Sequence, residues 1–385
     1  LPVFGAADTD GKGTLGIISS GAESANIYVD YGNQVFGYST VAVEFVIRDY
    51  QNATANVNSG KWETQVSTDV ALEFGLFDRL TGTIEWFRKD SKDLLFDVSQ
   101  PASVGVSSII QNIGKVSNSG VELELDYTAF KNRDWTVSVG LNATFVKNKI
   151  KKLPASMQEH GYINGSKKWE EGRSIYDFWL RQWYGVDPQT GDGLYVPDLS
   201  KYNQGNIGKG EDNITQAQYD AYKKTVVNVD GKELTNSYSY AKYDYSGSSI
   251  PDVFGGFNIK ARYKSFDLAA VFSYQLGGKL LDSNYGTMMA MGEFGYAQSP
   301  DLLNAWKKPG DITDVPRVDN NATHSTNIGQ GISTRWLTSS NYLNLRSITL
   351  GYQLPKSLLN KVMIKSARLN LTMENLFMLK ARQGL

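Results

Sequence analysis

Gly120-Val-Glu-Leu-Glu-Leu-Asp-Tyr127, the cluster Phe130-Lys-Asn-Arg-Asp134 and Trp135-Thr-Val-Ser-Val-Gly-Leu-Asn-Ala-Thr-Phe145 decide the reading of this chain. In the first segment Val121, Leu123, Leu125 and Tyr127 alternate with Glu122, Glu124 and Asp126. In the last, Trp135, Val137, Val139, Leu141, Ala143 and Phe145 alternate with Thr136, Ser138, Gly140, Asn142 and Thr144. Successive side chains of a strand point to opposite faces, so each segment has one apolar and one polar face. The polar cluster between them is a turn, and the whole predicts a hairpin.

Two architectures accommodate that hairpin. In a soluble sandwich the apolar face is buried between sheets, with strands of about 5–6 residues. In an outer-membrane barrel the apolar face meets lipid, the polar face meets water, and roughly 9–11 residues span. Alternation from Trp135 to Phe145 has spanning length, with an aromatic residue at each end where a membrane interface favours one.

Composition narrows the function classes. In 385 residues, 39 Lys+Arg balance 40 Asp+Glu, which argues against a nucleic-acid partner. The 37 Gly, 22 Tyr and 10 Pro suit many strands joined by turns. There is no cysteine, hence no disulfide framework or thiol chemistry. No apolar run of about 18 residues predicts a membrane helix, which leaves a barrel open. Leu1 follows no signal-peptide pattern, so the chain reads as a piece of something longer.

Outward from the hairpin, the rhythm recurs. Residues 1–60 read as irregular apart from a strand at Val41 to Ile47; 61–385 read as barrel. Strands are expected at Trp62 to Phe77 and around Ile84 and Trp86, with a tight turn at Asp78-Arg79. Residues 91–118 read as a long connection. A second hairpin is expected from Phe254 to Tyr274, and a last one with Ile348, Leu350 and Tyr352 opposite Leu369, Leu371 and Met373. About ten strands result, with short turns at 78–80, 130–134, 264–266 and 355–357. The long polar stretches 188–249 and 279–340 read as extracellular loops.

Chemistry is sparse. His160 and His324 are the only histidines and are far apart, so no metal-binding spacing exists. There is no Gly-x-Ser-x-Gly elbow and no phosphate loop. Glu122 and Glu124 form a carboxylate pair of the kind glycosidases use, which any alternating strand also produces. Asp8-Thr-Asp10-Gly-Lys-Gly13 and Asp187-Pro-Gln-Thr-Gly-Asp192 are the two places for a structural calcium; in each a plain turn explains the residues more simply. No other cofactor is expected. Trp169, Trp179, Trp183, Tyr195, Trp306 and Trp336 lie in or beside loops, where flat rings can stack on a sugar or grip a peptide, or simply pack. Glu122, Glu124, Asp126, Asn142, Lys260 and Arg262 would face a barrel lumen.

Several segments resemble the C-terminal half of SusC/RagA-family TonB-dependent transporters. They are Lys61-Trp-Glu-Thr64, Ser91-Lys-Asp-Leu-Leu-Phe-Asp-Val98, Asn112 to Leu125, Gly185-Val-Asp-Pro-Gln-Thr-Gly-Asp-Gly193, Ile250 to Phe257, Tyr274-Gln-Leu-Gly-Gly-Lys279, Tyr342 to Pro355 and Asn375-Leu-Phe377. They occur in family order, whereas residues 1–60 match poorly. The resemblance implies an all-β, antiparallel outer-membrane barrel of roughly 22 strands with long extracellular loops. It implies TonB-driven import of oligosaccharides or peptides, a SusD-like surface lipoprotein as partner, and no catalysis. The plug, the TonB-contacting N-terminal part and the closing strand of that family are not in this sequence. The alternative is a secreted soluble β-sandwich, a glycan-binding protein or glycosidase.

Overall fold

The computed structural model describes residues 14–19, 25–30, 41–45, 63–99, 108–209, 213–290, 297–319, 329–360 and 364–380. Asp8 to Gly13 and Trp62 lie outside the described residues. The chain divides into two compact units, residues 1–61 with 97–111, and residues 62–96 with 112–385. In the first, β1 (Thr14–Ser19), β2 (Ala25–Asp30) and β3 (Val41–Phe45) form a three-stranded antiparallel sheet.

The long strands come next in chain order: β4 (Thr64–Leu76), β5 (Leu80–Ser99), β6 (Ser108–Lys131) and β7 (Trp135–Lys152). Shorter strands follow: β8 (Tyr162–Asn164), β9 (Lys167–Trp169), β10 (Asp177–Arg181), β11 (Trp183–Val186), β12 (Gly193–Tyr195), β13 (Val226–Val229), β14 (Lys232–Thr235) and β15 (Tyr243–Ser248). Then come β16 (Val253–Tyr263), β17 (Phe266–Leu276), β18 (Lys279–Leu281), β19 (Leu337–Ser339), β20 (Tyr342–Gln353) and β21 (Arg368–Lys380). Eight of these form one antiparallel sheet in the order β21-β20-β17-β16-β7-β6-β5-β4.

The register of that sheet follows the alternation. Leu123 pairs with Ala143, Leu125 with Leu141 and Tyr127 with Val139, while Glu122 pairs with Thr144 and Glu124 with Asn142. Across the next strands Ile259 pairs with Val139 and Ala270, and Leu268 with Leu350, which pairs in turn with Leu371. A slip of one residue would mix the two faces, so the pattern itself specifies the register. Where β20 and β21 break the pattern, bulges restore it. The register shifts between Leu345 and Ser347, so Ile348 below and Leu345 above both meet apolar partners, Met373 and Phe377.

Among the described residues no second layer covers the apolar face. Val70 is 62% exposed, Leu72 64% and Leu371 59%. That removes the soluble-sandwich alternative, which needs this face buried. The face is bounded by a row of rings: Trp135 pairs with Tyr263, Tyr263 with Phe266, and Phe266 with Tyr352. Ring centroids are 4.4 Å apart in both the Trp135–Tyr263 and Phe266–Tyr352 pairs. From Trp135 to Phe145 the strand advances ten residues, or ~34 Å at ~3.4 Å each; a tilt of ~40° leaves ~26 Å along the normal, the height of a barrel's apolar band.

The short turns line one end of the sheet, and hydrogen bonds join them. Thr128 N donates to Arg79 O, Lys264 N to Asp134 O and Gln353 N to Ser265 O. Phe77 and Asp78 take φ of 57° and 53°, the left-handed pair of a primed hairpin turn. The connection expected as a turn at 355–357 is longer, with a helical turn at Lys356–Leu359 before β21. At the other end strand replaces the expected connection 91–118: β5 runs to Ser99 and β6 starts at Ser108.

The polar stretches are folded. β15-β10-β9-β8 and β11-β12-β14-β13 form two four-stranded sheets, and β18 pairs with β19. The helix Gln216–Lys223 begins in a capping box, with Gln218 N donating to Thr215 Oγ1 (3.2 Å) and Thr215 N to Gln218 Oε1 (2.8 Å). The stretches 188–249 and 279–340, read above as extracellular loops, thus carry much of the buried core of the second unit.

Candidate functional site

The polar face of the eight-stranded sheet and the folded insert at its long-connection end make the candidate site. Register puts Glu122, Glu124, Asp126, Asn142, Lys260 and Arg262 on one face, through the pairs Glu122–Thr144, Glu124–Asn142, Asp126–Gly140, Lys260–Ser138 and Arg262–Thr136. Asn142 is committed to the sheet: its Oδ1 accepts from Gly256 N at 2.7 Å. Beside it, Tyr274 reaches over Gly255 to donate to Asn142 O at 3.0 Å. A Cβ on Gly255 would stand 2.2 Å from that carbonyl, so only glycine permits the approach.

The same face changes character along β6 and β7. Beyond Asn142 and Thr144 it presents Asn148 and then Ile150, paired with Asn118 and Val116. Ile150 is buried with Leu153 and Met157, against Val116, Trp169 and Ile175. Asn148 Nδ2 donates to Asn118 Oδ1 (2.8 Å), and its Oδ1 accepts from Ile175 N (2.9 Å) and Ser174 Oγ (3.1 Å). Ile150 also exchanges backbone bonds with Arg173 and Gly172. The insert therefore docks on the polar face, not beyond the strand tips.

The six aromatic candidates divide on burial. Tyr195 is fully buried and Trp336 is 4% exposed, so neither offers a ring face to a ligand; this corrects their assignment as contacts. Tyr195 meets Trp183 and Tyr238 edge-on, with centroids at 5.2 and 5.7 Å, and burial raises its phenol pKa. Trp336 packs with Met289, Ala305 and Val315 and donates Nε1 to Gly331 O. Trp169, Trp179, Trp183 and Trp306 are half-buried. Trp169 donates to Ile175 O at 3.1 Å and braces the junction with β7. Trp306 donates to Pro188 O at 3.0 Å. Trp179 lies 6.2 Å from Tyr243, with ring planes 6° apart.

The Asp187 to Asp192 carboxylates are engaged as a turn. Asp187 accepts from Gln189 N at 2.9 Å and Thr190 Oγ1 at 2.8 Å, and Asp192 accepts from Arg317 Nε at 2.9 Å and Asn236 Nδ2 at 3.3 Å. Gly191 has φ +75°, and a Cβ there would meet the Trp306 ring at 2.5 Å. The turn thereby locks the stretch after β11 to the stretch before β19.

Sequence reasoning missed Lys167. Its Nζ donates to Tyr176 O (2.6 Å) and Ser249 Oγ (3.0 Å) and sits 3.2 Å from the Phe178 ring centroid. Burial lowers its pKa to about 8. It missed the helix cap as well, although Thr215-x-x-Gln218 was a legible signal. Glu122 and Glu124 face the same way on an open sheet, and no nucleophile, base or orienting group joins them among the contacts of the described residues.

Comparison with known proteins puts this geometry in context. A family model described as TonB dependent receptor-like, beta-barrel, matches residues 20–170, beginning inside the stretch 1–60 whose motifs carry little resemblance. TonB-dependent receptor P3 of Formosa agariphila is 30% identical over 339 residues, covering 86% of this chain and 30% of the relative. TonB-dependent receptor SusC of Bacteroides thetaiotaomicron is 25% identical over 308 residues, 76% of this chain and 26% of the relative. The chain thus spans about 30% of the length of the curated relatives it matches. The solved RagAB peptide transporter shares the fold, with TM-score 0.67 and 22% identity over 97% of this chain and 40% of the other. The RagAB peptide importer in its closed-closed state gives 0.66 at 25% identity, again over 97% and 40%.

Proposed function

We propose that the chain is barrel sequence of the SusC/RagA group of TonB-dependent receptors and that it serves import of oligosaccharides or peptides across the outer membrane. The observation that carries this reading is the uncovered apolar face of spanning height backed by a polar face of mixed charge. In this reading the apolar face meets lipid. Glu122, Glu124, Asp126, Lys260 and Arg262 line an aqueous lumen, and the insert stands over that lumen on the outer side of the membrane. TonB-dependent receptors are transport proteins rather than enzymes. TonB supplies the energy, and a SusD-like lipoprotein closes over the insert; the SusC relative and the RagAB likeness support both.

Half-buried Trp179, Trp183, Trp169 and Trp306 are the proposed places where a ligand brushes the insert, each by a partial ring face. The test is binding by the full-length receptor in detergent, free of partner enzymes. It should bind one class of oligosaccharide or peptide without cleaving it, and its deletion should abolish uptake of that class. Turnover that survives repurification and disappears on Glu122→Gln or Glu124→Gln overturns the reading.

A further inference from the structure

Residues 297–319 build a locked piece of backbone on the insert. A single 3-10 turn, Pro300–Asn304, leads into Trp306, whose backbone N donates to Val315 O at 3.0 Å. Asp311 Oδ2 accepts from both Lys307 N and Lys308 N, each at 3.0 Å. Thr313 Oγ1 donates to Asn304 O at 2.7 Å and accepts from Val315 N at 3.1 Å. Gly310 N and Trp306 Nε1 both donate to Pro188 O, at 2.8 and 3.0 Å, which ties the loop to the Asp187 turn. Inward, Ala305 and Val315 pack with Trp336.

Outward, the same frame holds apolar side chains in the open. Ile312, between the anchoring residues Asp311 and Thr313, is 97% exposed, Leu303 76% and Val318 57%. The Thr313–Asn304 bond brings the backbones that carry Ile312 and Leu303 together. Beside Leu303 a groove of about 430 Å³ opens between Leu302, Trp306 and Val318. Single exposed apolar residues are ordinary, but a group of them on one rigid frame marks an interaction surface. A frame already ordered by its own hydrogen bonds also lowers the entropy lost on binding.

The charges at its edge are uneven. Asp311 is occupied by backbone N–H groups, and Asp192 and Asp319 by Arg317. Lys307 and Lys308 are exposed and make no ion pair among the described residues; the exposed Asp314 is the acid that stands against them.

We propose that this surface, with Ile312 and Leu303 as its knobs and Lys307 and Lys308 at its rim, is the seat of the SusD-like surface lipoprotein, which meets it with an apolar pocket edged by carboxylates. The proposal rests on the import reading above and gives the partner a footprint on the insert. In that reading the insert lies outside the bilayer, so water and not lipid faces the patch. Ile312 projects, which suits a pocket in another protein; small ligands bind in concave sites. A second copy of this chain would set one lysine rim against the same rim, a like-charge arrangement that an acid-edged partner avoids.

The test uses the full-length receptor and the lipoprotein that purifies with it from native outer membrane, identified by mass spectrometry, then separated and remixed in detergent. Ile312→Asp and Leu303→Asp should each weaken binding at least about thirtyfold, a ratio of ~2 kcal/mol. Both side chains stand mostly in water, so melting temperature should match wild type. Ile163→Asp, at an exposed position of β8, should leave affinity within about twofold. Lys307→Glu combined with Lys308→Glu should slow association and remove most of its salt dependence. If the pair resists separation, the share of lipoprotein retained by tagged variants reads the same loss. Equal binding of the lipoprotein by Ile312→Asp, Leu303→Asp and wild type overturns the proposal and leaves the import reading standing. Loss of receptor self-association in sedimentation, with lipoprotein affinity kept, also overturns it and makes the patch an interface between copies. A receptor that recruits no lipoprotein overturns it too, and if that receptor imports no oligosaccharide or peptide, the import reading falls with it.

Discussion

The eight-stranded sheet and the insert use similar residues in opposite ways. In the sheet, Val, Leu, Phe and Tyr stay exposed on one face, held by register and by rows of cross-strand pairs. In the insert, Tyr195, Tyr222, Leu194 and Leu234 are enclosed, and Tyr222 OH donates to Glu233 Oε1. The sheet relies on its solvent for the apolar face; the insert makes its own core. In the import reading lipid covers what the sheet leaves open, whereas the insert carries the cost of burying phenols and a lysine.

Breaking the insert's core should have the largest effect and leave the sheet standing. Trp336→Ala removes a buried indole from the Met289, Ala305 and Val315 cluster and should cost about 3–5 kcal/mol. Hydrogen exchange should rise across 278–340 while β7 and β16 keep their protection; equal loss in both would show one cooperative unit. Val139→Arg, near the middle of the apolar face, should cost about 2–4 kcal/mol in urea unfolding from lipid. Ser138→Arg on the polar face should fall within about 0.5 kcal/mol, and equal costs at the two positions would refute the assignment of faces.

A smaller effect is expected at the helix cap. Thr215→Ala removes the acceptor for Gln218 N and should cost about 1 kcal/mol, confined to the insert. Gentlest is a pH slope. Burial depresses the Lys167 pKa from 10.5 to about 8. Between those values the unfolded chain holds a proton that the folded one has released, so stability rises as pH goes from 8 to 10.5 and is flat below 8. Lys167→Met should flatten melting temperature against pH in that window. An unchanged slope would assign it to another group.

Much of the sheet was legible. Alternation at Val121 to Tyr127 and Trp135 to Phe145 predicts both strands, their shared faces and their pairing, because one face must be apolar and the other polar along the whole span. The bulge at Leu345 to Ser347 was not, since it arises from fitting two neighbouring strands at once. In the site, the polar-face residues followed from parity. The aromatic candidates did not sort, because a Trp that packs and a Trp that meets ligand look alike in sequence.

What the sequence determined by itself is therefore periodic: a strand, its two faces and its turns. Tertiary structure alone decided that Ile150 and Trp169 seat the insert on the polar face, that Asp192 pairs with Arg317, and that Arg181 lies between two tyrosines. Those contacts join residues far apart in the chain, and period two describes only the local response of a backbone to two solvents. Where the chain supplies its own surroundings, a side chain's neighbours depend on how every other segment folds, and no local pattern records them.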